Sequence, residues 1–456
     1  MDIKTFSIIL MVLFSYSCRK SDYKRIIFGE DVKERMKQNF LIALNTSKAD
    51  EVELYTKMLE EHKNQHLIRL QPENKVGQSQ IIEIENNRKT SVKLTTLSKR
   101  RPLIFQIDNF LFDDECDYIK ESAEAKGFIK SKTLGDFDEE LSTEPTAYDL
   151  LGDIPLADWD NNNDSFIDHL ELQSAIKKNF DVRLGSMMIN EIMKKTFMDF
   201  NSNGLIEDWE WNIKNITTLV LMLKEAKRVS PSSSARFSES QWLSYVNDSI
   251  LLSIQDRLHK VTKLPLEMIK NSEPLQVVKY QPGGHYDCHL DSDPQYFSDS
   301  ANTCCHTLSA DSGSDESDLC SPCRFMTVLY FLEDTKNGGE TAFPVAGLDP
   351  YLNDLTSDIS YEDKCDLSIY CSTAKIVVKP QKGRAILWYN HFINPDTEWT
   401  GAVDRNSLHG GCAVKEGHKW IANNWINAGQ LKEHDVLSWT KKQFPANIEE
   451  REKTSS

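Results

Sequence analysis

The stretch YQPGGHYDCHLD, Tyr280–Asp291, carries a histidine and an aspartate two residues apart, His289 and Asp291. Side chains at positions i and i+2 of a β-strand leave the same face, so an imidazole and a carboxylate can point to one place. Further along the chain, the segment SLHGGC contributes His409. Two histidines and one carboxylate that leave other coordination positions open are the ligand set that suits non-haem Fe(II). The sequence therefore predicts an iron site formed by His289, Asp291 and His409.

Lys419 lies ten residues after His409, in the segment KEGHKW, where a returning strand can direct its ammonium group into the same cavity. Such a cation would bind the distal carboxylate of a 2-oxo acid cosubstrate. A histidine and aspartate pair by itself is common on ordinary strands and carries little weight. The later histidine, the lysine and the aromatic-rich strand before them together favour a metal site.

At these residues the chain resembles the prolyl 4-hydroxylases, which are Fe(II)- and 2-oxoglutarate-dependent dioxygenases. The family pattern of Tyr, then Gly at +3, Tyr at +6, His at +9 and Asp at +11 is met by Tyr280, Gly283, Tyr286, His289 and Asp291. Two later stretches are similar to later strands of the family, RFMTVLYFLEDTKNGGETAFP (Arg324–Pro344) and SLHGGCAVKEGHKWIANNWIN (Ser407–Asn427). The resemblance implies an α+β fold, with a double-stranded β-helix (jelly-roll) catalytic domain, supporting helices and an inserted α-helical pair.

The resemblance also implies a reaction and a role for particular side chains. The reaction would consume O₂ and 2-oxoglutarate and convert peptidyl proline to 4-hydroxyproline, with ascorbate as a re-reductant. Three groups of residues follow from it: the iron ligands His289, Asp291 and His409; the 2-oxoglutarate ligands Lys419, Tyr280 and Thr341; and the peptide-groove residues Tyr286, Arg324 and Trp425.

Two twelve-residue stretches earlier in the chain have the pattern of a calcium-binding loop, DNNNDSFIDHLE (Asp160–Glu171) and DFNSNGLIEDWE (Asp199–Glu210). Each has oxygen-bearing side chains at loop positions 1, 3, 5, 9 and 12 and an isoleucine at position 8, as in an EF-hand. The predicted ligands are Asp160, Asn162, Asp164, the Phe166 carbonyl, Asp168 and Glu171 in the first loop, and Asp199, Asn201, Asn203, the Leu205 carbonyl, Glu207 and Glu210 in the second.

Loop position 6 needs a residue that tolerates a left-handed backbone, which is Gly204 in the second loop and Ser165 in the first. The serine predicts weaker calcium binding by the first loop. The alternative is a helical pair that keeps its shape without metal, and the cost of holding like charges close together disfavours it. Within the family, two such loops set into the hydroxylase domain resemble the transmembrane branch.

The apolar run Phe6–Tyr16 near the start of the chain is flanked by Lys4 on one side and by Arg19 and Lys20 on the other. Eleven helical residues rise about 16 Å, which is short of the roughly 30 Å hydrocarbon core, so the length favours a signal peptide. The resemblance favours an uncleaved membrane anchor, as does the C-terminal REKTSS, which is no KDEL-type retention signal. Both interpretations predict that the rest of the chain faces the lumen of the endoplasmic reticulum.

Composition restricts the partners. A net charge of −17 over 456 residues argues against nucleic acid. Ten cysteines suit an oxidising compartment, where Cys304, Cys305, Cys320 and Cys323 would form disulfides rather than a zinc site, although the zinc site stays open. Sequons at Asn45, Asn215 and Asn247 predict glycans. The oligomeric state is not predicted.

The predicted organisation has six parts. They are a signal peptide or membrane anchor at 1–21, a polar helical region at 22–100, a first part of the catalytic domain at 101–146, the EF-hand pair at 147–228, a second part of the catalytic domain at 229–430 and a tail at 431–456. Within the second part, Val229–Ser240 is expected to be a polar linker, Gln241–Lys263 an amphipathic helix behind the sheet, and Leu275–Tyr280 the strand that leads to the ligand pair.

Two other functions remain open from the sequence. The first is a calcium-dependent lumenal binding protein whose oxygenase domain is inactive, which the presence of all three ligands and the lysine disfavours. The second keeps the chemistry but uses lysine or a free small molecule as the acceptor. The chain also does not select between collagen-like and other proline-containing peptides.

Overall fold

The structure is a computed structural model that describes residues 49–84, 90–131, 155–230, 233–292, 323–348, 365–429 and 431–443. The predicted anchor or signal peptide at 1–21, the Asn45 sequon, and the cysteines at 18, 304, 305 and 320 lie outside these ranges. Among the helices within them, none is long and apolar enough to cross a membrane.

The described chain contains both helices and strands, with the helices at 169–229 in one block and most strands after Leu275. The helices are α1 (Ala49–His62), α2 (Asp113–Lys126), α3 (His169–Phe180), α4 (Ser186–Lys195), α5 (Asp208–Ile213), α6 (Ile216–Val229), α7 (Ser249–Thr262), α8 (Leu266–Lys270) and α9 (Lys432–Gln443). The strands are β1 (Ser79–Ile84), β2 (Thr90–Lys99), β3 (Leu103–Asp108), β4 (Ile129–Lys130), β5 (Arg236–Phe237), β6 (Glu239–Leu243), β7 (Leu275–Tyr280), β8 (His285–His289), β9 (Arg324–Phe331), β10 (Asn337–Gly338), β11 (Thr341–Phe343), β12 (Ile376–Val378), β13 (Ala385–Tyr389), β14 (His391–Ile393), β15 (Thr400–Val403), β16 (His409–Gly411), β17 (Val414–Glu416) and β18 (Lys419–Asn427).

Two antiparallel sheets of the described residues face each other. The larger sheet has the strand order β1-β2-β3-β13-β9-β18-β7-β6-β4, and the smaller has the order β12-β11-β16-β8-β5. Leu329 and Ile421 of the larger sheet and Phe343 and Val378 of the smaller one belong to one buried apolar cluster. The central strands β9, β13 and β18 are buried along almost their whole length. Apolar runs such as AILWY in β13 therefore reflect strands covered on both faces.

Helices α2 and α7 cover the other face of the larger sheet, where Ile119 and Leu258 join the main apolar core. The acidic run from Asp113 lies in the first turn of α2, where carboxylates interact favourably with the helix dipole. Its last member, Glu115, forms a buried ion pair with Arg257 of α7, with Arg257 Nη2 donating to Oε1 at 2.7 Å. This pair fixes the two helices against each other beneath the sheet.

The insertion between β4 and β5 has a core of its own, formed by side chains of α3 to α6 and of the residues before them, such as Trp159, Ile192 and Leu219. The two predicted calcium loops lie side by side, joined by an antiparallel bridge between Ile167 and Ile206. Loop position 8, where both isoleucines occur, therefore links the two loops.

The predicted helix Gln241–Lys263 is wrong in its first third. Residues 239–243 form β6, which pairs with β7, and α7 begins only at Ser249. The Asp248 side chain caps α7 by accepting the N–H groups of Ile250 and Leu251. Val246, which the helical spacing would bury, is 76% exposed. The predicted linker Val229–Ser240 likewise contains β5 and the start of β6, because pairing with distant strands outweighs a polar local sequence.

The ends of the described chain also differ from the prediction. The region 22–100 was expected to be polar and helical, but residues 79–84 and 90–99 form β1 and β2 and extend the larger sheet. Val92 and Leu94 are buried and two residues apart, which is the period of a strand. The predicted tail at 431–456 contains α9, which packs against α1 through the buried Trp439.

Candidate active site

The three predicted iron ligands meet at one end of the smaller sheet. His289 at the end of β8 pairs in register with His409 at the start of β16, and Asp291 lies in the bend just after β8 rather than within the strand. The Nε2 atom of His289 lies 3.7 Å from Oδ1 of Asp291, and Nε2 of His409 lies 3.5 Å from Oδ2. When one ligand atom is taken from each of the three residues, these atoms all lie within 4.8 Å of one another. Two imidazoles and one carboxylate, with open positions beside them, fit Fe(II).

Backbone carbonyls fix the orientation of both imidazoles. His289 Nδ1 donates to the Asp287 carbonyl at 2.9 Å, and His409 Nδ1 donates to the Ser407 carbonyl at 2.9 Å. A carbonyl oxygen only accepts, so the hydrogen of each neutral ring lies on Nδ1. Each Nε2 atom therefore keeps its lone pair directed toward Asp291, as a metal ligand requires.

Asp291 is buried but remains a carboxylate. Burial raises its pKa, yet the two imidazoles, Arg324 and the Thr327 hydroxyl together hold the pKa of Asp291 below its usual value. Thr327 Oγ1 donates to Oδ2 at 2.6 Å. Burial and the neighbouring His409 lower the pKa of His289 to about 3. An ionised Asp291 carboxylate beside a neutral His289 imidazole suits divalent metal binding.

Lys419 begins β18 and pairs with Tyr280 at the end of β7. The lysine is 1% exposed, and its Nζ atom donates to the Glu340 carbonyl at the long distance of 3.4 Å. Burial lowers the pKa of Lys419 to about 7, against an opposing effect of Glu340. A buried ammonium with so little compensation gains stability when an anion binds beside it.

The surroundings of Lys419 fit a carboxylate. Among the described residues, the buried hydroxyl of Thr341 has no hydrogen-bond partner. Gly411 leaves space, since a Cβ atom there would lie 3.4 Å from Lys419 Nζ and 3.8 Å from the Tyr280 hydroxyl. Burial raises the pKa of Tyr280 to about 12, so its hydroxyl stays protonated and able to donate. An ammonium, two hydroxyls and a gap between them match the distal end of 2-oxoglutarate.

A cavity of about 180 Å³ connects the His289, Asp291 and His409 group with Lys419. Every side chain that the sequence assigned to iron, cosubstrate or peptide groove lines this cavity. The wall also includes side chains that the sequence analysis missed: Arg236, Gln276, Leu329, Ile421 and Asn423. One cavity therefore holds all the residues predicted for iron, cosubstrate and peptide groove, and the predicted calcium ligands lie elsewhere, in the insertion.

Comparison with known proteins agrees with this arrangement. Residues 275–427 match the 2OG-Fe(II) oxygenase superfamily. The chain is also 33% identical over 378 residues to the transmembrane prolyl 4-hydroxylase of Homo sapiens, which covers 80% of this chain and 70% of that protein. The chain belongs to the prolyl 4-hydroxylase family. It is a 2-oxoglutarate-dependent prolyl hydroxylase, and its family uses Fe(II), O₂ and a peptide substrate.

Two further comparisons accompany this result. The transmembrane prolyl 4-hydroxylase of Mus musculus is 32% identical over 377 residues, covering 80% of this chain and 70% of that protein. These relatives confirm the predicted resemblance to the transmembrane branch. Among solved structures, a viral collagen prolyl hydroxylase from Paramecium Bursaria Chlorella virus-1 matches with a TM-score of 0.32 and 19% identity, covering 71% of this chain and 95% of that one.

Tyr286 forms one wall of the hydroxylase cavity. Its ring stacks on the His289 imidazole, with centroids 3.7 Å apart and planes 20° from parallel. The Arg236 guanidinium lies 4.6 Å from the centroid of the Tyr286 ring. Arg236 occurs in the segment that the sequence predicted as a linker, and only the pairing of β5 with β8 brings it to the cavity.

Arg324 and Trp425 form another part of the cavity wall. The Arg324 guanidinium lies 3.6 Å from the centroid of a ring of Trp425. Its Nε and Nη2 atoms each donate to the Glu273 carboxylate at 2.8 Å. Stacking and a bidentate ion pair together hold this guanidinium in place. The hydroxylase thus has a rigid cation and an aromatic face beside its predicted iron ligands.

The two loops of the insertion share one hydrogen-bond pattern. The position 12 carboxylate accepts the N–H groups of positions 2 and 3, and the position 1 carboxylate accepts those of positions 5 and 6. These carboxylates belong to Glu171 and Asp160 in the first loop and to Glu210 and Asp199 in the second. At position 6 the φ angle is 72° in the first loop and 84° in the second. The backbone conformation predicted at position 6 is therefore present in both loops.

Arg183 joins the insertion of this hydroxylase to the strand that carries His289, and the sequence analysis missed it. Its guanidinium forms ion pairs with Asp287 of β8 and, at 3.0 Å, with Asp366. Burial raises the pKa of Asp287 to about 6, while Arg183 opposes this shift. The carbonyl of Asp287 accepts the Nδ1 hydrogen of His289. Arg183 therefore supports the residue that orients a predicted iron ligand.

Proposed function

We propose that the chain hydroxylates C4 of proline in peptides, with Fe(II) bound by His289, Asp291 and His409. In this proposal, Lys419, Tyr280 and Thr341 bind 2-oxoglutarate. The observation that carries it is the buried Lys419 ammonium, which lines the same cavity as two imidazoles and a carboxylate. A metal site does not by itself require a buried lysine nearby, and a buried lysine does not by itself require a metal site. Their occurrence in one cavity is what a metal-bound 2-oxo acid needs.

When bound, Fe(II) and 2-oxoglutarate supply the oxidation of a substrate C–H bond by O₂, with succinate and CO₂ as by-products. The chain contributes binding and orientation. The Lys419 ammonium and the hydroxyls of Tyr280 and Thr341 hold the distal carboxylate. The Nδ1 hydrogen bonds of His289 and His409 keep both Nε2 atoms directed at the metal. Burial of these groups excludes water from the reacting end of the cosubstrate.

Tyr286, Arg324 and Trp425 are the proposed peptide-groove residues, and we add Arg236. The apolar ring of a proline packs well against the flat faces of tyrosine and tryptophan. The guanidinium groups of Arg236 and Arg324 provide donors for the peptide carbonyls on either side. Glu273 already holds the Arg324 side chain in place. Peptide binding therefore adds no entropic cost for ordering that side chain.

The proposal also covers the fold, calcium binding, the location of the chain and the re-reductant. The two facing sheets are proposed to form a double-stranded β-helix, with a catalytic domain at 101–146 and 229–430, to whose larger sheet β1 and β2 are added. The insertion at 147–228 is proposed as an EF-hand pair that binds Ca²⁺ through the predicted loop ligands, and the shared hydrogen-bond pattern supports this. We also propose that the chain faces the lumen of the endoplasmic reticulum, anchored or delivered by residues 1–21, and that ascorbate restores its Fe(II).

The test is incubation of the purified full chain with a library of proline-containing peptides, Fe(II), 2-oxoglutarate and O₂. Mass spectrometry should find one added oxygen atom on proline, and succinate should form in equal amount. Replacement of His289, Asp291 or His409 by alanine should abolish both products. His418→Ala is the matched control, because this exposed histidine adjoins Lys419 and should be dispensable. Hydroxylation confined to lysine, or none with any peptide, would remove the proposal.

A further inference from the structure

Cysteine side chains gather on the far side of the iron-ligand strands. Cys288 directly precedes His289, and Cys412 follows His409 by three residues. Cys365 and Cys371 belong to a segment at 365–373 that crosses behind both strands and is called the crossing segment below. Cys288 and Cys371 pack against an apolar cluster that includes Cys412. The alternation of β8 thus directs Cys288 away from the cavity that His289 faces.

One pair of these cysteines is already a disulfide. Cys371 of the crossing segment is bonded to Cys412, with the two Cα atoms 5.6 Å apart. This bond attaches the crossing segment to the chain just beyond β16, which carries His409. One of the two histidine-bearing strands is therefore covalently tied to the crossing segment.

Cys288 and Cys365 have a matching arrangement on the other histidine-bearing strand, but both are thiols in the structure. The amide of Cys288 donates to the carbonyl of Cys365 at 3.2 Å. This hydrogen bond brings the backbones of the two residues together, and the Cα atoms of a disulfide usually lie about 4.4–6.8 Å apart, so a bond between the two side chains is within reach.

We propose that Cys288 and Cys365 form a second disulfide, so that the crossing segment is covalently bonded to both strands that carry the histidine ligands. In this step one S–S bond forms, two S–H bonds break and two protons are released. The two electrons reduce the disulfide of a thiol–disulfide oxidoreductase to two thiols. Both thiols are only partly buried, so such a partner can reach them.

The position of this bond suggests what it does. β8 and β16 pair in register at His289 and His409, and the crossing segment lies behind that pair. Arg183 reaches the same segment, through Asp366 at 3.0 Å and the Ser368 hydroxyl at 3.2 Å. A second disulfide would hold β8 in place before any metal binds. It would also restrict the unfolded chain between positions 288 and 365, which favours the folded state.

The test is disulfide mapping of the full chain, purified without reductant. The protein is unfolded in iodoacetamide and digested without reduction, and the peptides are identified by mass spectrometry. We expect a cross-linked peptide that joins Cys288 to Cys365, beside one that joins Cys371 to Cys412. Cys116, which is a free buried thiol, should be alkylated and so reports that alkylation was complete. Alkylation of both Cys288 and Cys365, or a bond from either to another cysteine, would overturn the proposal.

Stability measurements give a second test that does not depend on turnover. In the absence of reductant, Cys365→Ser should lower the melting temperature by about 5 °C or more. The double variant Cys288→Ser/Cys365→Ser should melt no lower than the single one, since a broken bond cannot be lost twice. Equal melting temperatures for the wild type and Cys365→Ser, or a further drop in the double variant, would contradict the bond. Because both tests are independent of hydroxylation, they stand even if the proposed reaction does not.

Discussion

Lys419 is a buried cation whose partner in the free enzyme is a single carbonyl at the long distance of 3.4 Å, that of Glu340. Burial lowers its pKa to about 7, so the free enzyme at neutral pH holds both charged and neutral lysine. A bound carboxylate favours the ammonium form and raises the pKa again. If 2-oxoglutarate binds at Lys419 as proposed, its binding is coupled to proton uptake.

We expect the Kd of 2-oxoglutarate to be constant below pH about 7 and to rise about tenfold per pH unit above it, because only the protonated lysine of the free enzyme binds the anion. The rise should stop at the higher pKa of the complex. Calorimetry in two buffers of different ionisation enthalpy, without O₂, measures both the Kd and the protons taken up. Lys419→Arg is the control, since a guanidinium stays charged and its Kd should not vary in this range. A wild-type Kd independent of pH between 6 and 9 would argue against this coupling.

Ser165 is the second residue whose environment predicts a measurable effect. Its φ angle of 72° is in the left-handed region, which costs a residue with a Cβ atom roughly 1 kcal/mol or more. In the proposed calcium site, we expect the bound ion to hold the loop in this conformation and the metal-free loop to relax from it in solution.

Replacement of Ser165 by glycine should therefore tighten calcium binding in the first loop by about fivefold, which corresponds to roughly 1 kcal/mol. Ser165→Ala keeps the Cβ atom and should leave the affinity unchanged. Calorimetric titration of Ca²⁺ into each variant, with the second loop disabled by Glu210→Gln, isolates the first loop. Equal affinities for the glycine and alanine variants would contradict the strain argument.

Among the secondary-structure elements, buried ion pairs connect the insertion to β8. Arg183 lies between α3 and α4, and its guanidinium faces Asp287 and Asp366. All three side chains are largely buried. Removing one member of a buried ion pair is costly, because the remaining charge keeps its desolvation without its partner.

Arg183→Ala should lower the free energy of unfolding by about 3 kcal/mol. It should also weaken metal binding, since the Asp287 carbonyl orients His289. Denaturant unfolding and metal titration of the full chain measure the two effects. Arg228→Ala is the control from the same insertion, because Arg228 and its partner Glu225 are exposed and no measurable change is expected. If both variants behave like the wild type, Arg183 does not support β8.

At the scale of the whole molecule, the first and last described helices close the fold together. Trp439 of α9 is fully buried and meets His62 of α1 edge-on, with ring centroids 5.3 Å apart. Asp435 of the same helix accepts the indole hydrogen of Trp399 at 2.7 Å, which ties α9 to the loop before β15. Segments that the sequence presents as a polar extension and a tail thus complete the main core.

Trp439→Ala should destabilise the protein by about 3 to 5 kcal/mol, the usual cost of removing a large buried aromatic side chain. The loss should appear in thermal unfolding of the full chain. Val76→Ala serves as the control from the N-terminal region, because Val76 is 62% exposed and should have little effect. A small effect of Trp439→Ala would mean that α9 is dispensable for the core.

The sequence by itself determined the features that depend on neighbours along the chain. The spacing of His289 and Asp291 after Tyr280 indicated a ligand pair, and the twelve-residue pattern from Asp160 and again from Asp199 indicated the loops. These patterns can be recognised in the sequence because strand alternation and loop geometry depend only on residues a few positions apart.

Only the tertiary structure decided which distant segments meet. Pairing of β16 with β8 sets His409 opposite His289, and pairing of β18 with β7 sets Lys419 beside Tyr280. The same long-range pairing turned residues 239–243 into a strand where local spacing predicted a helix, and brought Arg236 to the cavity. Arg183 and the Cys288 and Cys365 pair likewise became visible only in three dimensions. The physical reason is that sheet register and buried charge pairs join residues far apart in sequence, and no local period records them.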